Sequence, residues 1–202
     1  LWTYLASLRV PTAAQRVDEA SLANVQSLAR STWAYYDRYV GEADHHLPPD
    51  NVQFTEAQPM VAHRTSPTNI GMYLLCVAAA REMGFIEVAE MVQRHERTLE
   101  SLDRLPRWRG HFHNWIDTQT LATLQPAYVS TVDSGNFSAM LLVLSSACES
   151  LAGGRGAQAG AAGGIDIDLG AAIDADPDAA LRTRLMRLAA HTRTQALAAD
   201  IR

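Results

Sequence analysis

Two helical stretches of this chain carry no polar face, and they alternate with three that have one. From Pro67 to Met83 the residues Ile70, Met72, Tyr73, Leu74, Leu75, Cys76, Val77 and Ala78 run together. In a second stretch, capped by Asp133 or Ser134 and ending near Leu151, the residues Phe137, Met140, Leu141, Leu142, Val143, Leu144 and Cys148 do the same. A helix that is apolar all round has to be covered all round, so both are predicted to be buried on every side. The other three are one-faced. From about Val17 to Val40, Leu22, Val25, Ala29, Trp33, Tyr36 and Val40 oppose Asp18, Glu19, Gln26, Arg30, Asp37 and Arg38. From about Ile86 to Leu102, Val88, Val92, His95, Leu99 and Leu102 oppose a row of Glu and Arg, with His95 read as a satisfied core residue. From about Asp178 to Ala199, Leu181, Leu185 and Leu188 oppose Arg182, Arg184 and Arg187. This order predicts an all-α fold of alternating inner and outer helices, each hairpin returning the chain to the same end.

The remaining composition narrows the partners. With 202 residues, a formal net charge of −5, 48% hydrophobic and 19% charged residues, the chain reads as one globular domain or part of one. Its mild acidity and scattered arginines argue against a nucleic-acid partner. The longest apolar run, Met72 to Ala80, is closed by Arg81 and Glu82, short of the roughly 20 residues that a membrane span requires. No membrane contact by this chain itself is expected. Cys76 and Cys148 lie inside apolar runs and read as buried, reduced thiols. The chain starts at Leu1 with no signal segment, which reads as a piece of a longer polypeptide. Its expected divisions are residues 1–16 as the end of an upstream element, 17–151 as the main body, 152–177 as a Gly/Ala-rich linker or insert, and 178–202 as an amphipathic helix.

The chemistry-bearing residues sit where the helices begin and end. After Gly41, two prolines hold the backbone of a loop that carries Asp50, Asn51 and Gln53. Thr65 and Ser66 are capping residues, and Pro67 suits the first helical position. The mouth of that helix gathers Arg64, Thr65, Ser66, Thr68 and Asn69 around unpaired N–H groups, an end that suits a polar, hydroxyl-rich or anionic ligand. The plainer reading is an ordinary well-capped helix. Pro106 opens the longest loop, Arg107 to Val132, whose His111, Asn114, Trp115, Asp117 and Tyr128 mark it as functional. If neighbouring helices are antiparallel, these groups join Asp133 and Asn136 at one end. Flat rings among planar hydrogen-bonding groups suit sugars, whose C–H faces stack while their hydroxyls pair with Asp, Asn and Arg. Against this stands a bland alternative, with Trp rings as core and amides as loop ties.

At this point the motifs resemble a known family. Leu47-Pro-Pro-Asp-Asn-Val-Gln53, Ala62-His-Arg-Thr-Ser-Pro-Thr-Asn-Ile-Gly71, Arg109-Gly-His-Phe112, Asn114-Trp115 with Asp117-Thr118, and Tyr128-Val-Ser-Thr-Val-Asp-Ser-Gly-Asn136 are similar to the central region of cyclic β-1,2-glucan synthases, over about Ser31 to Leu151. The Gly/Ala-rich Gly153 to Gly164 departs from that pattern. The resemblance implies a membrane-anchored parent on the cytoplasmic side of the inner membrane, with a glycosyltransferase, a central α/α-toroid that cyclises glucan by transglycosylation, and a phosphorylase-like module. This chain would be the opening part of the toroid, an incomplete barrel, and the catalytic glutamates would lie beyond Arg202. The expected substrate-binding residues are Asp50, Asn51, Gln53, Arg64, Thr65, Ser66, Asn69, His111, Asn114, Trp115, Asp117, Asp133 and Asn136. A β-1,2-glucan chain and the other modules of the parent are the expected partners.

Other function classes compete. A retaining glycosidase needs two carboxylates about 5 Å apart, and nothing in the sequence pairs Asp50, Asp117 or Asp133 so closely. No catalytic residue is therefore assigned, and the chain alone is expected to be inactive. A metal-dependent hydrolase built on His111, His113 and Asp117 lacks a third reliable ligand and a His-Glu-x-x-His helix, so no metal and no cofactor are expected. A helical scaffold or interaction module without sugar specificity is the remaining alternative.

Overall fold

The computed structural model describes residues 18–154 and 178–198. The upstream element expected over residues 1–16 and most of the Gly/Ala-rich insert lie outside the described residues. Five helices carry the architecture: α1 (Glu19–Tyr39), α2 (Pro67–Glu82), α3 (Val88–Arg104), α4 (Thr131–Ala152) and α5 (Ala179–Leu197). Their starts follow from side-chain capping. Asp18, Ser66, Ser130 and Asp178 each accept a backbone N–H from three residues ahead, which satisfies a donor that the helix cannot. Ser130, rather than Asp133 or Ser134, is the cap of α4, because its hydroxyl stands three residues before the N–H of Asp133.

The two long connections are not plain loops. A short 3-10 turn (Glu42–Asp44) is followed by a hairpin of β1 (Val52–Phe54) and β2 (Pro59–Val61), with Gln53 opposite Met60. Strand β3 (Arg64–Thr65) leads into α2, and β4 (Arg107–Trp108) pairs with β5 (His111–Phe112). Strand β6 (Ile116–Asp117) returns to pair with β3, with Arg64 opposite Asp117 and Thr65 opposite Ile116. Strands this short cannot display a period of two, which is why the sequence reads as loop.

Helices α2 and α4 lie side by side and run in the same direction. Asn136 reaches the hydroxyl of Thr68 at 3.5 Å near their starts. One turn later a Cβ at Gly71 would stand 2.5 Å from the sulfur of Met140, so a residue without a side chain is what permits the close approach. The outer helices α3 and α5 also run in parallel, since Glu96 holds Arg184 and Asp103 holds His191 at the same separation along the chain. The core between the layers is built from Ile70, Tyr73, Leu74 and Val77 of α2, Met91, Leu99 and Leu102 of α3, Leu141 and Leu144 of α4, and Leu185 and Leu188 of α5. Trp33 and Tyr36 bring α1 against it. Inner and outer helices alternate as the apolar pattern requires.

Two burial expectations fail. No residue of α1 is fully buried, and Val25 on its predicted inner face is exposed. The all-apolar helices are not covered on every side either: Met72 is 46% exposed, and Leu142 and Val143 are 47% and 57% exposed. The cause is geometric. Helices α2 and α4 shield one flank of each other and the outer helices cover their backs. The remaining flank meets no other element among the described residues.

Candidate functional site

The starts of α2 and α4 come together beneath the β3–β6 ribbon, and most of the polar residues singled out in the sequence meet there. Asp50 is the first hub. One of its oxygens accepts Nε (3.2 Å) and an Nη (3.0 Å) of Arg64 and the amide of Asn51 (2.9 Å), while the other accepts the amide of Asn69 (3.2 Å). With its guanidinium thus fixed, Arg64 lies 4.9 Å from the centre of the Trp115 ring. A cation over an indole face is attractive and also holds the ring in place.

Asp133 is the second hub. Burial pushes its carboxyl up, but hydrogen bonds from the hydroxyl of Ser130, the hydroxyl and N–H of Thr68 and the hydroxyl of Ser66 outweigh that and hold it below the usual carboxylate range. A residue in the first turn of α4 therefore caps the neighbouring α2. Asn114, only 6% exposed, completes the hub. With its amide oxygen turned to the Tyr128 hydroxyl (2.8 Å) and the Trp115 indole N–H (3.1 Å), its nitrogen donates to Asp133 at 3.0 Å. The Asn114 N–H also donates to the Tyr128 carbonyl at 2.8 Å.

This arrangement corrects the idea of a helix mouth with free N–H groups. The N–H of Asn69 is taken by Ser66 and that of Thr68 by Asp133, so backbone donors there are already paired. Two carboxylates also sit where the helix dipoles favour negative charge. An anionic ligand would meet Asp50 and Asp133. Their charge would repel it, but not a neutral, hydroxyl-rich ligand.

Other expected site residues fall elsewhere. Gln53 is exposed on the β1–β2 hairpin. Thr65 is fully buried, with its hydroxyl unpaired, and faces the interior. His111 lies in the β4–β5 hairpin, whereas Asn136 stays at the helix starts, exposed beside Thr68. Asp117 closes its own turn, accepting the N–H of Gln119 (3.0 Å) and the N–H (2.8 Å) and hydroxyl (2.9 Å) of Thr120. Burial raises its carboxyl, yet these bonds and the nearby His63 hold it low. His113 points to the hydroxyl of Thr123, so His111, His113 and Asp117 do not form one ligand set. Among the described residues no group of three His, Cys, Asp or Glu side chains is placed to hold a metal ion. Sequence reasoning passed over Tyr128 as a clamp on Asn114, and the buried Asp44 with His63 altogether. Only a contact between residues 19 positions apart reveals that last pair.

A groove of about 1300 Å³ runs along the outer side of α3, lined by Asp37, Glu90, Arg94, Arg97 and Arg184. Arg94 is already paired with Asp37 and Glu90, and Arg184 with Glu96, so much of its charge is internally spent. The site at the helix starts has the better chemistry for a ligand.

Replacing Asp133 with Ala should cost about 2 kcal/mol, because it strips charged acceptors from two helix starts at once. The sign of its pH dependence follows from the lowered pKa. The stabilisation is present above the ordinary value of 3.8 and is lost as pH falls through the lower folded value. Urea unfolding at neutral and acid pH should show a smaller acid loss in Asp133→Asn than in the parent.

Comparison with known proteins is consistent with this geometry. Residues 27–144 match the family described as Protein of unknown function (DUF3131). Over 132 residues, 65% of this chain, the sequence is 46% identical to the cyclic beta-(1,2)-glucan synthase NdvB of Rhizobium meliloti (strain 1021), of which it spans 5%. The resemblance carried by the motifs therefore holds. Among solved structures, a beta-1,2-glucanase from Parabacteroides distasonis superposes with a TM-score of 0.57 at 13% identity, over 87% of this chain and 21% of its own. A glucoamylase-like protein from Bacteroides fragilis NCTC 9343 gives 0.56 at 14% identity, over 89% and 37%. The fold is that of part of an α/α-toroid.

Proposed function

This chain belongs to the DUF3131 family, and we propose that it forms part of the glucan-holding groove of a cyclic β-1,2-glucan synthase, binding the sugar chain without breaking it. The carrying observation is Trp115, clamped between Arg64 and Asn114 beside two neutralised helix starts. A fixed ring surrounded by amides and hydroxyls, with its charges already paired, suits a neutral pyranose. The carboxylates support a holding role. Asp117 and Asp133 are saturated with hydrogen bonds and held low, so neither suits a proton donor at neutral pH. Asp50 is occupied by three neighbours. The bond-making carboxylates and the rest of the toroid then belong to other parts of a larger, membrane-anchored parent. The uncovered strip around Met72, Leu142 and Val143 supports further helices packing there. No described helix is long and apolar enough to cross a membrane.

Calorimetric titration of the chain against linear β-1,2-, β-1,3- and β-1,4-glucans tests the reading. Weak binding selective for the β-1,2 chain is expected, with no shortened, lengthened or cyclic products after incubation. Equal or absent binding to all three would remove the groove assignment, and robust turnover abolished by changing Asp50, Asp117 or Asp133 would move catalysis into this chain. Trp115→Ala should weaken binding by about 1 kcal/mol, the worth of a stacking platform. Trp33→Ala should leave affinity unchanged. Because Trp33 is only half-buried, under Arg94 at 5.0 Å, its loss should lower stability by less than the roughly 3 kcal/mol of a fully buried ring.

A further inference from the structure

We infer that Trp108 is a second stacking platform for the glucan chain, displayed at the tip of the β4–β5 hairpin and held by Arg109, so that the groove engages the sugar at two separated points. The inference rests on the glucan reading above. From Phe112 to Thr118 every second residue is buried, namely Phe112, Asn114, Ile116 and Thr118, which leaves His111, His113, Trp115 and Asp117 on the other side of the segment. Trp108 pairs with His111 and so shares that side. Covalent reach keeps the two tryptophans near each other: the backbone from His111 to Trp115 spans at most about 14 Å, and the cross-strand step to Trp108 adds about 5 Å. One glucan chain of several units can therefore meet both rings.

The ring is placed to stay in solvent. Trp108 is 53% exposed, and the guanidinium of Arg109 covers it at 4.9 Å from the ring centre, as Arg64 covers Trp115. The hairpin beneath is firmly tied down. Arg107 lies 4.0 Å from the centre of the Phe112 ring and donates to the Gly110 carbonyl and to the side chain of Gln195 on α5, while Phe112 packs edge-on against Phe137 of α4 at 5.6 Å. At the turn, Arg109 and Gly110 have φ of 49° and 85°. Glycine suits such a position and arginine does not, since a β-carbon is disfavoured there. What arginine adds is the guanidinium over Trp108. It makes no ion pair among the described residues, so its N–H donors remain for sugar hydroxyls. No other large apolar side chain of this hairpin is exposed, which fits a platform for one sugar face and not the broad apolar patch of a protein interface.

The test titrates the full chain by calorimetry with linear β-1,2-gluco-oligosaccharides of increasing length. For the parent, affinity should rise with length until both rings are spanned. Trp108→Ala should leave the shortest ligands unaffected and weaken the longest about fivefold, the worth of one stacking platform, with an unchanged melting temperature because the side chain is exposed. Arg109→Gly relieves the turn, so it should hold or raise the melting temperature yet weaken the longest ligands, a split that a merely structural arginine would not give. If the parent binds and Trp108→Ala binds every length equally well, the inference falls while the groove assignment stands. A loss at Trp108 that is the same for the shortest and the longest ligands would also overturn it, since the two rings would then serve one position. If the parent binds no length, the groove assignment falls and takes the inference with it.

Discussion

Between pH 7 and pH 4 the chain is expected to lose about 3 kcal/mol of stability through His95 alone. His95 of α3 is fully buried, and its Nε2–H donates to the Leu74 carbonyl of α2 at 2.9 Å while Nδ1 has no partner. Burial disfavours the charged ring and pushes its pKa from 6.5 down to about 4, a shift only partly opposed by the Leu74 carbonyl. The unfolded chain therefore binds the proton first as pH falls. This contribution is complete above about 6.5, declines through the interval, and is lost once the folded ring titrates near 4. Guanidinium unfolding at several pH values, for the parent and His95→Gln, checks this. The difference between the two curves isolates the ring from the carboxylates, and it should narrow steadily on acidification. Curves that stay parallel from pH 7 to 4 would exclude His95 as the cause.

Tyr73→Ala should cost about 4 kcal/mol, the largest single loss we expect from the core. The ring is 1% exposed and packs 5.3 Å from Tyr36, so it joins inner α2 to outer α1. Its hydroxyl is also bonded to Arg94, which lies over Trp33 and pairs with Asp37 and Glu90. Removing the ring opens a cavity and leaves the Arg94 cluster without its inner anchor. Tyr73→Phe separates the two effects. It keeps the volume and should cost only about 1 kcal/mol, the net worth of the hydrogen bond. Similar losses for both variants in denaturant melts would mean that the hydroxyl, and not the packing, ties these helices together.

Much of the fold is legible along the chain because its causes are local. Ser66-Pro67 announces the start of α2 through capping chemistry, and the spacing of Val88, Val92, His95, Leu99 and Leu102 marks the buried stripe of α3, all five being buried. His95 shows the limit of that kind of reading. Its place in the core follows from periodicity, but the unpaired Nδ1 follows from what Leu74 presents on another helix.

The site divides in the same way. Sequence alone determined that the helix starts and the Trp-bearing loop hold the polar chemistry, because residue type and spacing act within a few positions. Only the tertiary structure decided that Asp133 of α4 caps α2, that Asn114 faces Asp133 and Trp115, and that Asp44 lies under His63. It also decided that Met72, Leu142 and Val143 stay uncovered despite lying in all-apolar helices. Apolar periodicity reports which surface is unfavourable to leave in water. What comes to cover it, and which distant carboxylate meets which donor, is set by how neighbouring elements pack.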